Sequence, residues 1–265
     1  MMRVPLTKMH GARNDFVILD RRAARLEDLT SFARWACDRH AGIGADGLIV
    51  LEASAVADVR MRTINADGSE AEMCGNGIRC AARRLDEAGE GDRIAFETDA
   101  GVVRTQIVAR EPEYLVRVAM GCPQIDPRPR STLAGASFVD LGNRHVVFFV
   151  SDVESVDLET LAAQVQGNPR LSNGANVHVA APIDEHSMRM RSWERGVGPT
   201  MACGTGAVAC AAVAIDKRLT ASPVDVFVPG GRLVVEWDGE GDATLVGPAE
   251  RVFDTEVEVA TRLLR

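Results

Sequence analysis

A pattern written twice constrains this chain more than its composition does. Met73 to Cys80 read M-C-G-N-G-I-R-C, and Ala202 to Cys210 read A-C-G-T-G-A-V-A-C. In both, a cysteine followed by Gly-x-Gly opens an Ala-rich run of helical character. Cys74 and Cys203 stand 129 positions apart (203 − 74). So do Asn65 and Glu194 (194 − 65), each nine residues before its cysteine, and so do Asn14 and Asn143 (143 − 14). Three landmarks at one offset imply two copies of one unit, each presenting one thiol.

The rest of the chain reads in the same terms. In the first copy, strands are expected at Phe16–Asp20, Leu48–Leu51, Val59–Ile64, Ile94–Thr98, Gly101–Ala109 and Tyr114–Val118. An amphipathic helix is expected from Leu26 to His40 and the first cysteine helix from Cys74 to Ala88. Gly42 to Gly47 (G-I-G-A-D-G) is a loop, and no turn into a helix follows that would suit a phosphate. A linker falls at Gly121-Cys122-Pro123 and the stretch through Pro129.

The second copy gives strands at Ser137–Leu141, Val146–Val150, Asn176–Ala180, Met188–Trp193, Val224–Val228, Arg232–Trp237 and Ala243–Val246. Its helices are Leu158–Val165, followed by Gly167-Asn168-Pro169, and the second cysteine helix, Cys203–Asp216. That last helix is apolar almost all round and so must be enclosed. The expected fold is α+β: two pseudo-symmetric domains, each a mostly antiparallel sheet wrapped around a central helix.

With 265 residues, 46% of them hydrophobic, the chain can build one or two cores. A net charge of −8 argues against a nucleic-acid surface. No apolar run approaches the roughly 18 residues of a membrane span, and no signal sequence is visible. A cytoplasmic protein with six reduced cysteines is expected. Neither C-x-x-C nor a zinc spacing occurs, so no metal site is expected.

A cysteine at a helix N-terminus meets free N–H donors and the positive end of the dipole, which favours its thiolate. One such site could be a nucleophile, a redox thiol or an anion clamp. Two that flank one carbon would be narrower in use. Thiolates about 6–7 Å apart repel by roughly 2–3 kcal/mol at an effective dielectric near 20, which keeps one as thiolate and the other as thiol. That is a two-base arrangement: one group removes an α-proton and the other delivers a proton to the opposite face. It needs no pyridoxal phosphate, and no cofactor is expected.

The motifs K-M-H-G-x-x-N-D-F, G-I-G-A-D-G, N-A-D-G-S-E, C-G-N-G-x-R-C, G-N-x-H, E-R-G-x-G and A-C-G-T-G-A together resemble diaminopimelate epimerase over nearly the whole chain. The resemblance implies domains at 1–120 and 121–247, with 248–265 returning to the first. It implies interconversion of LL- and meso-diaminopimelate in lysine and peptidoglycan synthesis, with Cys74 and Cys203 as the acid/base thiols. Asn14, Asn65, Gly75, Asn76, Asn143, Asn176, Glu194, Arg195, Gly204 and Thr205 take the substrate-binding positions. His145 and Glu194 fall where the family tunes its thiols. The expected partner is a small diamino dicarboxylate, with no nucleic acid and no membrane, and the expected assembly is a homodimer. The chain departs from the family at Arg13 (usually Gly), Arg144 (usually Pro) and Pro199 (usually Glu), and Gly47 stands where some members carry Gln.

Two other readings remain open at this level. A related racemase, of the proline racemase type or with another distal group, would keep both cysteines without needing Glu194 and Arg195 together. A thiol redox or metal-binding protein would need spacings the chain lacks. Among the remaining residues, Cys80 and Cys210 read as core, Cys37 and Cys122 as structural, and Arg79, Arg83 and Arg84 as a solvated helix face.

Overall fold

The computed structural model describes residues 2–23, 26–71, 73–126, 133–168, 171 and 174–259. It is α+β, with four helices and eighteen strands among the described residues. The chain divides into two compact units, one of Met1–Val118 with Pro248–Arg265 and the other of Ala119–Gly247. No helix among the described residues is long and apolar enough to cross a membrane.

In the first unit β1 (Met2–Gly11) pairs antiparallel with β18 (Glu250–Val259) on one side and with β2 (Asn14–Asp20) on the other. Parallel to β2 lies β3 (Gly47–Glu52), followed by antiparallel β4 (Val59–Asn65), which also takes the short β5 (Glu70–Ala71). Parallel β6 (Arg93–Thr98) extends β4 and continues antiparallel into β7 (Gly101–Ala109) and β8 (Leu115–Gly121). Sequence reasoning named no strand over β1; Pro5 weakens the strand signal there. The β1–β2 turn holds Ala12 at φ 51° and Arg13 at φ 64° between the paired Gly11 and Asn14, the two-residue turn that normally takes Asn-Gly. Arg13→Gly is therefore expected to stabilise the protein by about 0.5–1 kcal/mol, read as a higher urea midpoint.

Two helices complete this unit. Helix α1 (Leu29–Cys37) starts where Asp28 accepts from the Ser31 N–H at 2.9 Å, and buries Leu29, Phe32, Ala33, Ala36 and Cys37. It is shorter than its apolar pattern because Asp38 takes the N–H groups of His40 and Ala41 and turns the chain. Helix α2 (Gly75–Glu87), capped by Cys74, packs on β1, β2, β3 and β7.

The second unit runs through the same succession. Short β9 (Gln124–Ile125) pairs with β10 (Ala136–Asp140), which is antiparallel to β11 (Arg144–Phe149). Strand β12 (Asn176–Asp184) is parallel to β11 and antiparallel to β13 (Ser187–Glu194), which takes the short β14 (Gly198–Thr200). Parallel β15 (Val224–Val228) extends β13, followed by antiparallel β16 (Gly231–Glu236) and β17 (Ala243–Pro248). Helix α3 (Leu158–Gln166) is capped by Asp157 and buries Leu158, Ala162 and Val165. Helix α4 (Gly204–Asp216), with Cys203 at its N-cap position, is buried at every position from Gly206 to Ala214 and packs on β10 to β13, β15 and β16. Its ends lie at the repeat offset from those of α2 (204 − 75 and 216 − 87). Residues 127–129 of the expected linker lie outside the described residues, as does Pro169.

The arginines of α2 correct the expectation of a solvated face. Arg79 is 0% exposed and donates to Gly75 O (3.0 Å), Asn76 Oδ1 (3.0 Å) and Pro248 O (3.1 Å). Gly11 leaves room for it, since a Cβ there would meet Arg79 Nη2 at 2.9 Å. Arg83 lies 4.3 Å over the Tyr114 ring and donates to Glu87 and Ala249 O, and Arg84 donates to Thr7 Oγ1. Carbonyl oxygens supplied from distant segments make burial of these cations tolerable.

Candidate active site

Each unit gathers its own set of polar groups around one helix start. In the first, Cys74 is half-buried in extended backbone (φ −131°, ψ 109°) at the N-cap of α2, and its Sγ accepts from the Gly77 N–H at 3.4 Å. Gly77 packs directly against Ile49: a Cβ there would meet Ile49 Cδ1 at 2.7 Å. The N–H groups of a first helical turn have no acceptor inside the helix, and such a helix start favours an anion.

A guanidinium, two amides and a carboxylate line up next to it. Arg79 donates to Asn76 Oδ1, Asn76 Nδ2 to Asn14 Oδ1 (3.0 Å), and Asn14 Nδ2 to Asp46 Oδ2 (2.7 Å). Asn14 Oδ1 also lies 4.0 Å from Cys74 Sγ. An anion can only accept, so Asp46 turns the NH₂ of Asn14 toward itself and its oxygen toward the helix start. Asp46 is held by Arg39, which also pairs with Asp15, and Asp15 pairs with Lys8 at 2.6 Å. Burial would raise the Asp15 carboxyl, but Arg39 and Lys8 overcome it and hold it at about 2. Lys8 also donates to Gly44 O, fixing the G-I-G-A-D-G loop. Sequence reasoning quoted that loop and missed Asp46 in it, because the role depends on Asn14, 32 residues away.

Asn65 sits at the end of β4, in the turn whose Gly68 has φ 88°. Its Nδ2 donates to Ser69 Oγ at 2.9 Å, and Ser69 in turn is held by Asp67. Gly75 and Asn76 are buried in the first turn of α2.

In the second unit Cys203 is 3% exposed, with its sulfur 3.7 Å from Thr205 Oγ1. The helix start alone was expected to lower this thiol. Instead burial, followed by the Glu194 carboxylate beside it, pushes it well above its ordinary value, with Thr205 and the Gly206 N–H acting the other way. Glu194 is fixed by the Thr200 hydroxyl, which donates to Oε1 at 2.6 Å. Asn176 accepts from the Arg195 N–H at 2.9 Å and so braces the turn that carries the exposed Arg195 side chain. Gly204 is buried, and Thr205 is partly buried.

Asn143 presents the opposite amide face from Asn14. Its Oδ1 is 2.7 Å from His145 Nε2, and its Nδ2 is 3.4 Å from Thr205 Oγ1. The described hydrogen bonds of His145 run to Asn143 and to His178 (2.9 Å), and His178 reaches Ser192 Oγ (2.9 Å). Burial lowers His145 to about 3, and burial followed by the charge of His145 pushes His178 well below its ordinary value, so both rings are neutral near pH 7. His178 and Ser192 carried no sequence signal. Arg13, just before Asn14, and Arg144, just after Asn143, are both exposed.

The other cysteines lie elsewhere. Cys80 and Cys210 are fully buried inside their helices, and burial pushes both thiols up, Cys80 to about 12. Cys37 is buried and Cys122 exposed. Among the described residues no group of three or more His, Cys, Asp or Glu could hold a metal ion.

What the fold defines is a class. It is shared with a PhzF-family phenazine biosynthesis protein of Bacillus anthracis (TM-score 0.76, 19% identity, 98% of this chain and 100% of that one). It is shared also with a hydroxyproline epimerase from Agrobacterium vitis (TM-score 0.70, 14% identity, 97% and 91%). Sequence narrows this further. The family model described as diaminopimelate epimerase matches residues 6–125 and 137–252. Proteins named diaminopimelate epimerase from Rhizorhabdus wittichii (40% identical, 98% of this chain and 97% of that one) and Sphingopyxis alaskensis (41%, 96% and 97%) align along nearly their full length. The chain belongs to the diaminopimelate epimerase family.

Proposed function

We propose that this chain epimerises LL-diaminopimelate to meso-diaminopimelate without pyridoxal phosphate, in lysine and peptidoglycan biosynthesis, with Cys74 and Cys203 as the two acid/base groups. The observation that carries the reading is that, in a chain of this family, each cysteine stands at the N-cap position of a helix whose first turn is Gly-x-Gly. In this reading the two units are pseudo-symmetric copies, each a mostly antiparallel sheet wrapped around α2 or α4. A homodimer in the cytoplasm is the assembly and place that go with it.

The chemistry needs one thiol on each face of the α-carbon. One sulfur takes the α-proton, the C–H electron pair spreads into the adjacent carboxylate, and the other sulfur's proton is delivered from the opposite side. The N–H groups at the starts of α2 and α4, from Gly75, Asn76, Gly204 and Thr205, stabilise the charge that develops on that carboxylate. Burial and Glu194 raise the Cys203 thiol, so in this reading Cys203 is the sulfur that delivers the proton and Cys74 the one that removes it. Asn14 and Asn143 offer an acceptor and a donor respectively, set by Asp46 and His145. His145 thus serves by orienting Asn143, while Glu194 keeps Cys203 protonated. Asn65 offers Oδ1 to an ammonium, and Asn176 braces Arg195, whose guanidinium takes the distal carboxylate through two parallel N–H donors.

The test is an assay of purified protein against LL-diaminopimelate, proline, hydroxyproline and alanine. Turnover confined to diaminopimelate is expected, and comparable turnover of proline would assign the chain to the other racemases. Arg195→Lys is expected to raise KM about 10- to 100-fold with a smaller change in kcat, because an ammonium cannot reproduce the fork of donors. An unchanged KM would remove the distal-carboxylate assignment.

A further inference from the structure

His178 on β12 is 0% exposed and has no part in the mechanism above. Its ring stacks on His145 with centroids 5.1 Å apart. It also lies against the first turn of α4: a Cβ on Gly206 would meet His178 Cε1 at 2.4 Å. At the repeat offset, position 178 corresponds to Ile49 (178 − 129) and position 145 to Phe16 (145 − 129). Ile49 fills the same place against Gly77 in the first unit. An apolar pair therefore suffices to pack the start of a cysteine helix. The second unit buries two imidazoles instead, which is costly unless every ring nitrogen is bonded, and all four are.

The direction of these bonds can be worked out. Each neutral ring carries one N–H. Asn143 Oδ1 can only accept, so His145 has its hydrogen on Nε2. Its bare Nδ1 must then accept, which places a hydrogen on His178 Nε2. The bare Nδ1 of His178 accepts from the Ser192 hydroxyl. At the other end Asn143 Nδ2 donates to Thr205 Oγ1, which lies 3.7 Å from Cys203 Sγ; a protonated sulfur can donate to that oxygen, but a thiolate can only accept from the hydroxyl. With Cys203 as a thiolate every donor runs one way, from Ser192 through His178, His145, Asn143 and Thr205 to Cys203.

We propose that His178 is a positioning residue for Cys203: acting through His145, Asn143 and Thr205, it keeps a hydroxyl donor aimed at the sulfur for the thiolate left when the proton is delivered. The proposal rests on the reading of Cys203 as a proton donor. In that step the S–H bond breaks, the new C–H bond forms, and the electron pair stays on sulfur, where the Thr205 O–H meets it. No proton passes along the chain of bonds; its role is orientation. The first unit has no counterpart, since Phe16 and Ile49 cannot orient Asn14, and Asp46 does so by charge.

The experiment labels histidine with ¹⁵N in the full-length protein and reads the ring tautomers by long-range ¹H–¹⁵N correlation. Both buried rings are expected as neutral Nε2–H tautomers. His178→Phe, which keeps a ring and removes both nitrogens, is expected to lower kcat for diaminopimelate roughly tenfold while KM moves by less than about twofold. His178→Gln is expected to restore most of kcat, because its NH₂ can donate to His145 and its oxygen can accept from Ser192. A wild-type His145 with its hydrogen on Nδ1, or a folded His178→Phe with unchanged kcat, overturns the proposal. Should His178→Phe fail to fold, the wild-type tautomers and the Gln variant still decide it. A wild type inert toward diaminopimelate, whatever its tautomers, removes the epimerase reading and this proposal with it.

Discussion

Cys74→Ala and Cys203→Ala are each expected to lower epimerisation by about 10²- to 10⁴-fold, the usual worth of a positioned acid or base. Neither loss can be covered by the remaining thiol, because each face of the α-carbon needs its own group. The two variants should keep the wild-type circular dichroism spectrum, since N-cap positions tolerate Ala at a cost of about 0.5–2 kcal/mol. Cys80→Ala and Cys210→Ala provide the contrast. Both side chains are fully buried inside their helices. They should turn over normally and lose about 1–2 kcal/mol of stability, as small cavities do. Near-normal epimerisation by either N-cap variant would remove the two-base mechanism.

Arg79→Ala is expected to cost about 3–5 kcal/mol, read as a fall in the urea midpoint. The guanidinium is fully buried, so its loss opens a cavity and leaves Gly75 O, Asn76 Oδ1 and Pro248 O without their donor. Arg79→Met fills much of the volume without the donors and should cost less, roughly 2–3 kcal/mol. Both variants also remove a hydrogen bond from Asn76, the amide that donates to Asn14 Oδ1. Folded Arg79→Met should therefore show a lower kcat/KM as well as lower stability. A change of under about 1 kcal/mol in Arg79→Ala would mean that the buried bonds contribute little.

The helices and most of the longer strands, though not the ten-residue β1, were legible because their signals are local. Cysteine, Gly-x-Gly and a run of alanines mark α2 and α4 within a few residues of their ends, and the apolar run of β2 needs no partner to be read. The two- and three-residue strands β5, β9 and β14 carry no period and could not be found this way. Arg79 was misread because a cation in a helix ordinarily points to water, and one of the carbonyls that receive it is 169 residues away. The elevated thiol of Cys203 was missed for a related reason. A helix start lowers a thiol, but burial and Glu194 outweigh it, and neither is visible from residues 203–206. The same holds for His178, whose partners His145 and Ser192 come from neighbouring strands.

The central claim is that two different groups handle the α-hydrogen, and one measurement addresses it directly. LL-diaminopimelate is incubated with the wild-type protein in D₂O, the reaction is stopped at low conversion, and the two stereoisomers are separated and weighed by mass spectrometry. A thiol already exchanged with solvent delivers the new hydrogen, so each meso molecule is expected to carry one deuterium at the inverted carbon, while recovered LL substrate carries almost none. Meso product that retains the substrate's own α-hydrogen would mean that a single group removes and returns it, and the assignment of opposite roles to Cys74 and Cys203 would be wrong.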